Sequence, residues 1–225
     1  MATPILMAWS GGKDAAWTLH TLRMQGDVDI KALVTTVTAD YDRIAMHGIR
    51  RDVLHAQAAS VGIPLIEAVI PSACDNATYE ASFAAALAEA RSRWPDLDTI
   101  AFGDLFLEDV RAWRVASLAK IGWHARTPLF GRDTREVADE MLEGGLKTVL
   151  CCVDTQQLDA RFSGAAFDQD LIDVLPASCD PCGENGEFHT LVLDGPMFTS
   201  PLAVTRGEQV LRDGRFAYTD FALAD

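Results

Sequence analysis

The first segment whose residue types could do chemistry is Ser10-Gly11-Gly12-Lys13-Asp14, called the phosphate loop below. It lies between an apolar run and a helical pattern, where backbone N–H groups and the helix dipole converge on an anion. Gly11 and Gly12 would let the backbone approach phosphate oxygens closely, Ser10 would donate a hydroxyl, and Lys13 would supply positive charge. The segment therefore predicts a phosphate-binding site, with an ordinary Gly-Gly turn as the alternative.

Two acidic residues are candidate ligands for magnesium. Asp14 could cap the helix that follows the loop or help to hold Mg²⁺. Asp104 follows a predicted strand and Gly103, at the carboxyl edge of the sheet where ligands of such folds usually lie. Asp104 is therefore predicted to bind magnesium or ribose. The alternative is that it only caps the helix that follows.

The densest group of reactive side chains is CDPCGENGEFHT, residues 179–190. Glu184 and Glu187 could hold a metal, bind an amine or act as general base, and His189 could move protons near neutral pH. The alternative is a tight turn with solvated acids. Cys179 and Cys182 have CxxC spacing, but no second such pair completes four zinc ligands.

The elements that must position these residues alternate between strand and helix up to about Gly122, which predicts a parallel sheet with flanking helices. The predicted strands are Pro4–Ala8, Ile30–Val37, Leu65–Ile70 and Asp98–Phe102. The predicted helices are Asp14–Met24, Gly48–Ser60, Asn76–Arg93 and Glu108–Ile121. This is an α/β pattern of the nucleotide-binding type.

The remainder of the chain has a different pattern. It predicts a helix at Thr134–Glu143, strands at Thr148–Val153, Phe188–Leu193, Leu202–Thr205, Gln209–Arg212 and Phe216–Phe221, and a hairpin turn at Asp213-Gly214. We therefore expect a nucleotide-binding domain over residues 1–123 and a smaller α+β substrate-binding domain over residues 124–225.

Charge and composition exclude several classes of protein. The 225 residues include 19 basic and 33 acidic ones, for a net charge of -14, which argues against broad binding of nucleic acid through its backbone. No apolar run is long enough to span a membrane, and the N-terminus does not resemble a signal peptide. We expect a cytoplasmic protein with five free thiols and no membrane association.

The phosphate loop resembles the SGGKDS loop of the PP-loop ATP pyrophosphatases, with Ala15 where the family has Ser. Further motifs are MHGIR at 46–50, FGDLFLEDVRAWR at 102–114, DPCGENGEFHT at 180–190 and LDGPMF at 193–198. Together they closely resemble the diphthine-ammonia ligase family, also called the diphthamide synthesis ATP-binding domain, in a bacterial-type relative. Archaeal and eukaryotic members usually have Glu-Tyr-Glu-Thr where this chain has Glu187-Phe188-His189-Thr190.

The resemblance implies a HUP-type (adenine nucleotide alpha hydrolase-like) sheet, and a C-terminal domain that carries the GENGE segment. It implies that the phosphate loop binds ATP, that Gly103 and Asp104 lie beside the nucleotide, and that Glu184 and Glu187 face the acceptor or ammonia. His47 and Arg50 would also reach the site.

The leading hypothesis is an ATP-dependent amide ligase. A substrate carboxylate, such as one on a protein side chain, would attack ATP to release pyrophosphate, and ammonia would then displace AMP. Lys13 would stabilise pyrophosphate, Asp104 would orient Mg²⁺, and Glu184 or Glu187 would accept a proton. The alternatives are a PP-loop sulfurtransferase or RNA-modifying enzyme that uses Cys179 or Cys182, and a catalytically silent ATP-binding module. The sequence leaves the oligomeric state open, with a homodimer as one alternative.

Overall fold

A mostly parallel sheet forms the centre of the fold. The computed structural model describes residues 2–224. The strands of the first sheet are β1 (Thr3–Ala8), β2 (Val28–Thr38), β3 (Arg43–Ile44), β4 (Leu65–Ile70), β5 (Thr99–Ala101) and β6 (His124–Arg126). Their order is β3-β2-β1-β5-β6, with β4 also paired to β2, and only the β2–β3 pair is antiparallel.

Four helices connect these strands: α1 (Lys13–Gln25), α2 (Arg51–Val61), α3 (Asn76–Arg93) and α4 (Glu108–Ala119). The carboxyl ends of β1 and β5 lie side by side, although their onward connections run in opposite directions across the sheet. Such a reversal of strand order opens a crevice at the carboxyl edge of a parallel sheet, where ligands bind. The phosphate loop follows β1 and Gly103-Asp104 follows β5, so both meet at this crevice.

The second sheet is antiparallel and has the order β8-β7-β10-β9. Its strands are β7 (Lys147–Asp154), β8 (Phe188–Asp194), β9 (Val204–Arg212) and β10 (Phe216–Leu223), accompanied by helices α5 (Thr134–Glu143) and α6 (Gln169–Val174) and a short 3-10 helix, Ala160–Phe162. Asp213 and Gly214 have φ of 53° and 62°, the backbone of a tight hairpin turn. The predicted turn is confirmed.

The two sheets share one hydrophobic core. Leu19 of α1 and Leu54 of α2 belong to the same buried cluster as Leu150 and Val192 of the second sheet. A separate buried cluster on the opposite face of the first sheet brings Leu87 of α3 and Leu118 of α4 against β1, β2 and β5. Helices α1 and α2 are therefore enclosed between the sheets, which brings the second sheet against the phosphate loop.

The predicted α/β class, with a HUP-like sheet and a second, smaller unit, is confirmed. The helix predicted from Gly48 begins only at Arg51, because Gly48 has φ +69° and Arg50 is extended. The two strands predicted at 202–205 and 209–212 form a single strand, β9. The short elements β3, β6 and α6 were not predicted.

The division of the chain into two domains at residue 123 stays a proposal. Strand β6 pairs in parallel with β5, so the first sheet continues to Arg126. In the part of the chain described, no helix is both long and apolar enough to cross a membrane.

Candidate active site

The phosphate loop needs glycine at positions 11 and 12, because neighbouring atoms lie too close to leave room for a side chain. Gly11 has φ +76°, and a Cβ there would lie 2.7 Å from Oε1 of Gln57. A Cβ on Gly12 would lie 2.8 Å from Cε1 of His47 and 3.1 Å from the carbonyl oxygen of Thr190. Gly12 is also the N-cap of α1 and supplies no side-chain cap to the first turn. The helix N-terminus can therefore present N–H groups to an anion.

The second sheet and α2 hold the phosphate loop in place. The backbone N–H of Lys13 donates to Oγ1 of Thr190 at 3.0 Å, and that of Val192 donates to the Gly11 carbonyl at 2.9 Å. The Gln57 amide donates to the carbonyls of Gly11 at 2.9 Å and Val192 at 2.7 Å. Sequence reasoning missed these roles of Thr190 and Gln57. Gln57 carries no local signal, since its partners are distant in the chain.

Ser10 also contributes to the loop. Its hydroxyl accepts a hydrogen bond from the backbone N–H of Gly12 at 3.3 Å. The hydroxyl thus lies at the turn where the sequence predicted a phosphate donor.

Lys13 is a buried cation that joins the two halves of the molecule. Its side chain is 2% exposed, and Nζ donates to both carboxylate oxygens of Asp14 at 2.8 Å and to the carbonyl of Cys182. Nζ also lies 5.6 Å from the ring centroid of Phe188. Burial alone would lower the pKa of Lys13, but Asp14 and then Glu184 outweigh it and raise that pKa. Lys13 is therefore fully charged at neutral pH.

Three carboxylates share the crevice. A Cβ on Gly103 would lie 2.8 Å from the carbonyl carbon of Asp14, so the segment that carries Asp104 lies against the first turn of α1. Oε2 of Glu184 accepts a hydrogen bond from the backbone N–H of Leu105 at 3.2 Å. Burial and the negative charge of Asp14 raise the pKa of Glu184 to about 7. Glu184 thus changes its protonation state near neutral pH.

The Asp104 side chain is 16% exposed, and its buried oxygen is only partly compensated. Its Oδ2 lies 3.1 Å from Nε of Arg114, yet neither atom has a hydrogen-bond partner in the described structure. Burial raises the pKa of Asp104, and Asp14 adds to the rise while Arg114 opposes it. A buried carboxylate oxygen without a hydrogen bond fits a cation site.

Metal binding by protein groups alone has no support within residues 2–224, where no three His, Cys, Asp or Glu residues are grouped to hold an ion. Mg²⁺ commonly binds one or two carboxylates together with substrate phosphates and water. Asp14 and Asp104 beside the phosphate loop fit that smaller requirement.

Glu187 has a different environment from the one predicted for it. It is 1% exposed, and its carboxylate accepts hydrogen bonds from the backbone N–H groups of Asp180 at 2.8 Å and Asn185 at 2.9 Å. The Asn185 side chain donates a third at 3.1 Å. These bonds brace the turn that carries Glu184. Glu187 therefore supports the turn, and the proton-accepting role predicted for Glu184 or Glu187 stays a prediction.

His189 and His47 form a buried pair with ring centroids 4.7 Å apart. Burial, then the charges of His47 and Lys13, lower the pKa of His189 to about 3. Burial also lowers the pKa of His47, whose Nδ1 lies 3.2 Å from the carbonyl oxygen of Thr190. Both shifts favour the neutral form of the rings, and the role predicted for His189 in moving protons stays a prediction.

The cysteines of the CxxC segment are buried thiols. Burial raises the pKa of Cys179 to about 12 and raises that of Cys182 as well. The Cys182 thiol donates to the carbonyl of Thr134 at 3.2 Å. Since the thiolate is the reactive form, neither residue is prepared for sulfur transfer. All five cysteines are free thiols.

Of the arginines in the motifs at 46–50 and 102–114, Arg114 lies at the crevice, beside Asp104. Arg114 pairs with Asp104 rather than with Asp109, and Arg111 donates to Oγ1 of Thr127 at 3.3 Å. Arg50 does not enter the crevice but forms a two-pronged pair with Asp220 of β10, with distances of 2.6–3.1 Å.

The sequence matches models of two protein domains. Residues 3–122 match the diphthamide synthase N-terminal domain, and residues 133–219 match the diphthamide synthase C-terminal domain. The chain is also similar to a diphthine–ammonia ligase of Schizosaccharomyces pombe, with 26% identity over 219 residues. The similarity covers 89% of this chain and 36% of the relative, so the chain spans about a third of that relative's length.

Proposed function

The chain belongs to the diphthamide synthase family, and from this premise we propose that it is an ATP-dependent carbon–nitrogen ligase. A carboxylate acceptor would attack the α-phosphate of ATP and release pyrophosphate. Ammonia would then attack the acyl carbon of the adenylate, losing a proton and expelling AMP, to leave an amide. The observation that carries the proposal is the contact between the phosphate loop and the turn with Glu184: Nζ of Lys13 donates to the carbonyl of Cys182, and Glu184 accepts from the backbone N–H of Leu105.

The phosphate loop would bind the phosphates of ATP. The first N–H groups of α1 would donate to phosphate oxygens, and Lys13 would balance their charge. Asp14 already provides Lys13 with a carboxylate partner at 2.8 Å. A phosphate oxygen would take over part of that role, so binding would exchange one anion for another without leaving the cation unpaired.

Magnesium is part of the proposal. Asp104 and Asp14 would hold it, because Oδ2 of Asp104 is buried without a hydrogen bond and both residues border the phosphate loop. When bound, Mg²⁺ neutralises charge on the phosphates. The nearby Arg114 would keep Asp104 ionised and oriented toward the crevice.

Glu184 would accept the proton from ammonium or from the attacking amine. A group with a pKa near the working pH is well suited to this task. The backbone N–H of Leu105 holds one of its oxygens at 3.2 Å and leaves the other available. His47 and His189 would add no positive charge beside Lys13, because burial lowers the pKa of both rings.

The test is to incubate the protein with Mg-ATP, ammonium and candidate acceptors, including elongation factor 2 that carries diphthine, and to separate AMP from ADP. We expect AMP and pyrophosphate only with a true acceptor. Formation of ADP would contradict the proposal. Tight ATP binding with no product from any acceptor would instead indicate a silent binding module, and Ala15→Ser would then be the first change to make.

The proposal places the reaction in the cytoplasm, where reducing conditions keep the cysteines as thiols. Its partners are ATP, ammonia and the carboxylate acceptor.

A further inference from the structure

Helix α4 has the reverse polarity of an ordinary surface helix, which directs apolar side chains to the core and polar ones to water. Leu118 is its one buried residue within the described chain, and Trp113 and Val115 are 39% and 46% exposed. Seven of its twelve residues are exposed, and five of those seven are apolar. We call these five residues the α4 face: Ala112, Trp113, Val115, Ala116 and Ala119.

The side of α4 that faces the protein carries polar groups that have partners there. Nε of Arg114 lies 3.1 Å from the carboxylate of Asp104. The Ser117 hydroxyl donates to the Glu80 carboxylate of α3 at 2.7 Å. Turning the helix to bury the α4 face would break both contacts. The α4 face is therefore left outward, where a second molecule can cover it.

The α4 face continues into an apolar groove between α3 and α4. Trp113 lines this groove together with Ile121, Tyr79 and Phe83. The ring centroids of Trp113 and Tyr79 are 6.0 Å apart, and Ile121 is 40% exposed. Single exposed apolar residues are ordinary, whereas a contiguous exposed apolar area marks an interaction surface.

The charges at the two ends of the α4 face are complementary. Asp109 lies in the first turn of α4 and Lys120 is its C-cap. Their separation is about three helical turns, so both side chains lie on the same side of the helix. Asp109 has no ion pair within residues 2–224, and the Lys120 side chain is 64% exposed, with Nζ 3.7 Å from Glu80. A second α4 running in the opposite direction would place an ammonium group beside each free carboxylate.

We infer that the α4 face binds α4 of a second copy of this chain, antiparallel, about a two-fold axis through the middle of the helix. Such a contact uses the same patch on both chains. Asp109 of each copy pairs with Lys120 of the other. Ala112 and Ala116 let the two helices approach closely, and the two Trp113 rings meet beside them. The inference does not depend on the ATP chemistry of the proposed function.

Sedimentation equilibrium of the complete chain tests this inference. We expect twice the mass of one chain at high concentration and dissociation on dilution. Ala116→Glu puts two like charges at the centre of the interface and should raise the dimer Kd by about 100-fold or more. Ala59→Glu, the same change at an exposed alanine of α2, should leave Kd unchanged. Far-UV circular dichroism checks that each variant is folded.

Charge reversal tests the orientation of the second copy. Asp109→Lys and Lys120→Glu should each raise Kd by about tenfold, because every dimer then contains two pairs of like charges. Both changes in one chain should restore the wild-type Kd, because each reversed charge again meets its opposite. Amide hydrogen exchange in residues 108–120 should also slow as the protein concentration rises.

A wild-type protein that stays monomeric at its highest soluble concentration would overturn the inference, and the α4 face would then belong to a partner of different sequence. A dimer that persists in Ala116→Glu, or that is lost equally in Ala59→Glu, would show that another surface joins the two chains. Failure of the doubly reversed variant to recover would contradict the antiparallel arrangement.

Discussion

Lys13 is the residue on which nucleotide chemistry depends most directly. Replacing it by Met should abolish AMP formation and raise Kd for ATP, because the phosphates lose their buried cation and Asp14 loses its partner. Single-turnover assays for AMP and equilibrium ATP binding measure the two effects. Lys147→Met, the same substitution at an exposed lysine of β7, is the control. Undiminished turnover in Lys13→Met would contradict the assignment.

Glu184 gives the reaction a specific dependence on pH. With a pKa of about 7, its proton-accepting form increases as the pH rises through 7, so amination at a constant concentration of free ammonia should rise over pH 6–8 and then level off. Glu184→Gln should remove that rise and leave the formation of the adenylate, measured by pyrophosphate exchange, largely intact. Glu187→Gln is the contrasting variant, since it should loosen the turn and lower folding stability without a selective effect on the pH profile.

The same residue predicts an effect on stability. In the folded protein the pKa of Glu184 is about 7, above its ordinary value of 4.5. Glu184 therefore does not destabilise the folded state below pH 4.5, and the folded state loses stability as the pH rises through about 7. Glu184→Gln removes a buried charge and should therefore stabilise the protein above pH 7, by about 1–3 kcal/mol. Thermal unfolding at pH 5 and pH 8 measures the difference, and equal effects at the two values would rule out this burial penalty.

Among the elements, the loop of residues 45–50, called loop 45–50 below, depends on the β9–β10 hairpin for its conformation. The hydrogen bonds from Arg50 and Arg43 lower the pKa of Asp220 to about 2, although burial opposes them. This stabilisation is therefore complete above the ordinary carboxyl pKa and is lost as the pH falls toward 2. Asp220→Asn should destabilise the fold by about 1–3 kcal/mol at pH 7 and speed amide hydrogen exchange in loop 45–50. Glu208→Gln on the exposed face of β9 should change neither quantity.

The elements also show what sequence patterns can and cannot predict. The four main parallel strands and the phosphate loop were found because apolar periodicity and glycine spacing are local signals. Strand β3 has only two residues and β6 only three, too few for a periodic pattern. The contact of Gln57 with Gly11 joins residues 46 positions apart, so nothing near either residue indicates it. Burial of His189 and Glu187 depends in the same way on tertiary packing.

At the scale of the whole molecule, the shared core means that the two sheets should unfold together. Leu150 of β7 is fully buried in the cluster that also contains Leu19 and Leu54 around α1 and α2. Leu150→Ala should cost about 2–5 kcal/mol, through lost burial and the cavity left behind. Urea unfolding followed by far-UV circular dichroism and by tryptophan fluorescence should give one coincident transition, in the wild type and in the variant.

The tryptophans make this measurement informative, because Trp9 and Trp17 lie in the shared core while Trp123 lies in the cluster on the opposite face of the first sheet. If the second sheet unfolded independently, circular dichroism would show a first transition in Leu150→Ala before most of the fluorescence changed. Coincident transitions would show that the second sheet, which carries Thr190 and follows the turn with Glu184, cannot separate from the phosphate loop without unfolding the molecule. Acceptor and nucleotide would then have to enter through the crevice while the two sheets stay together.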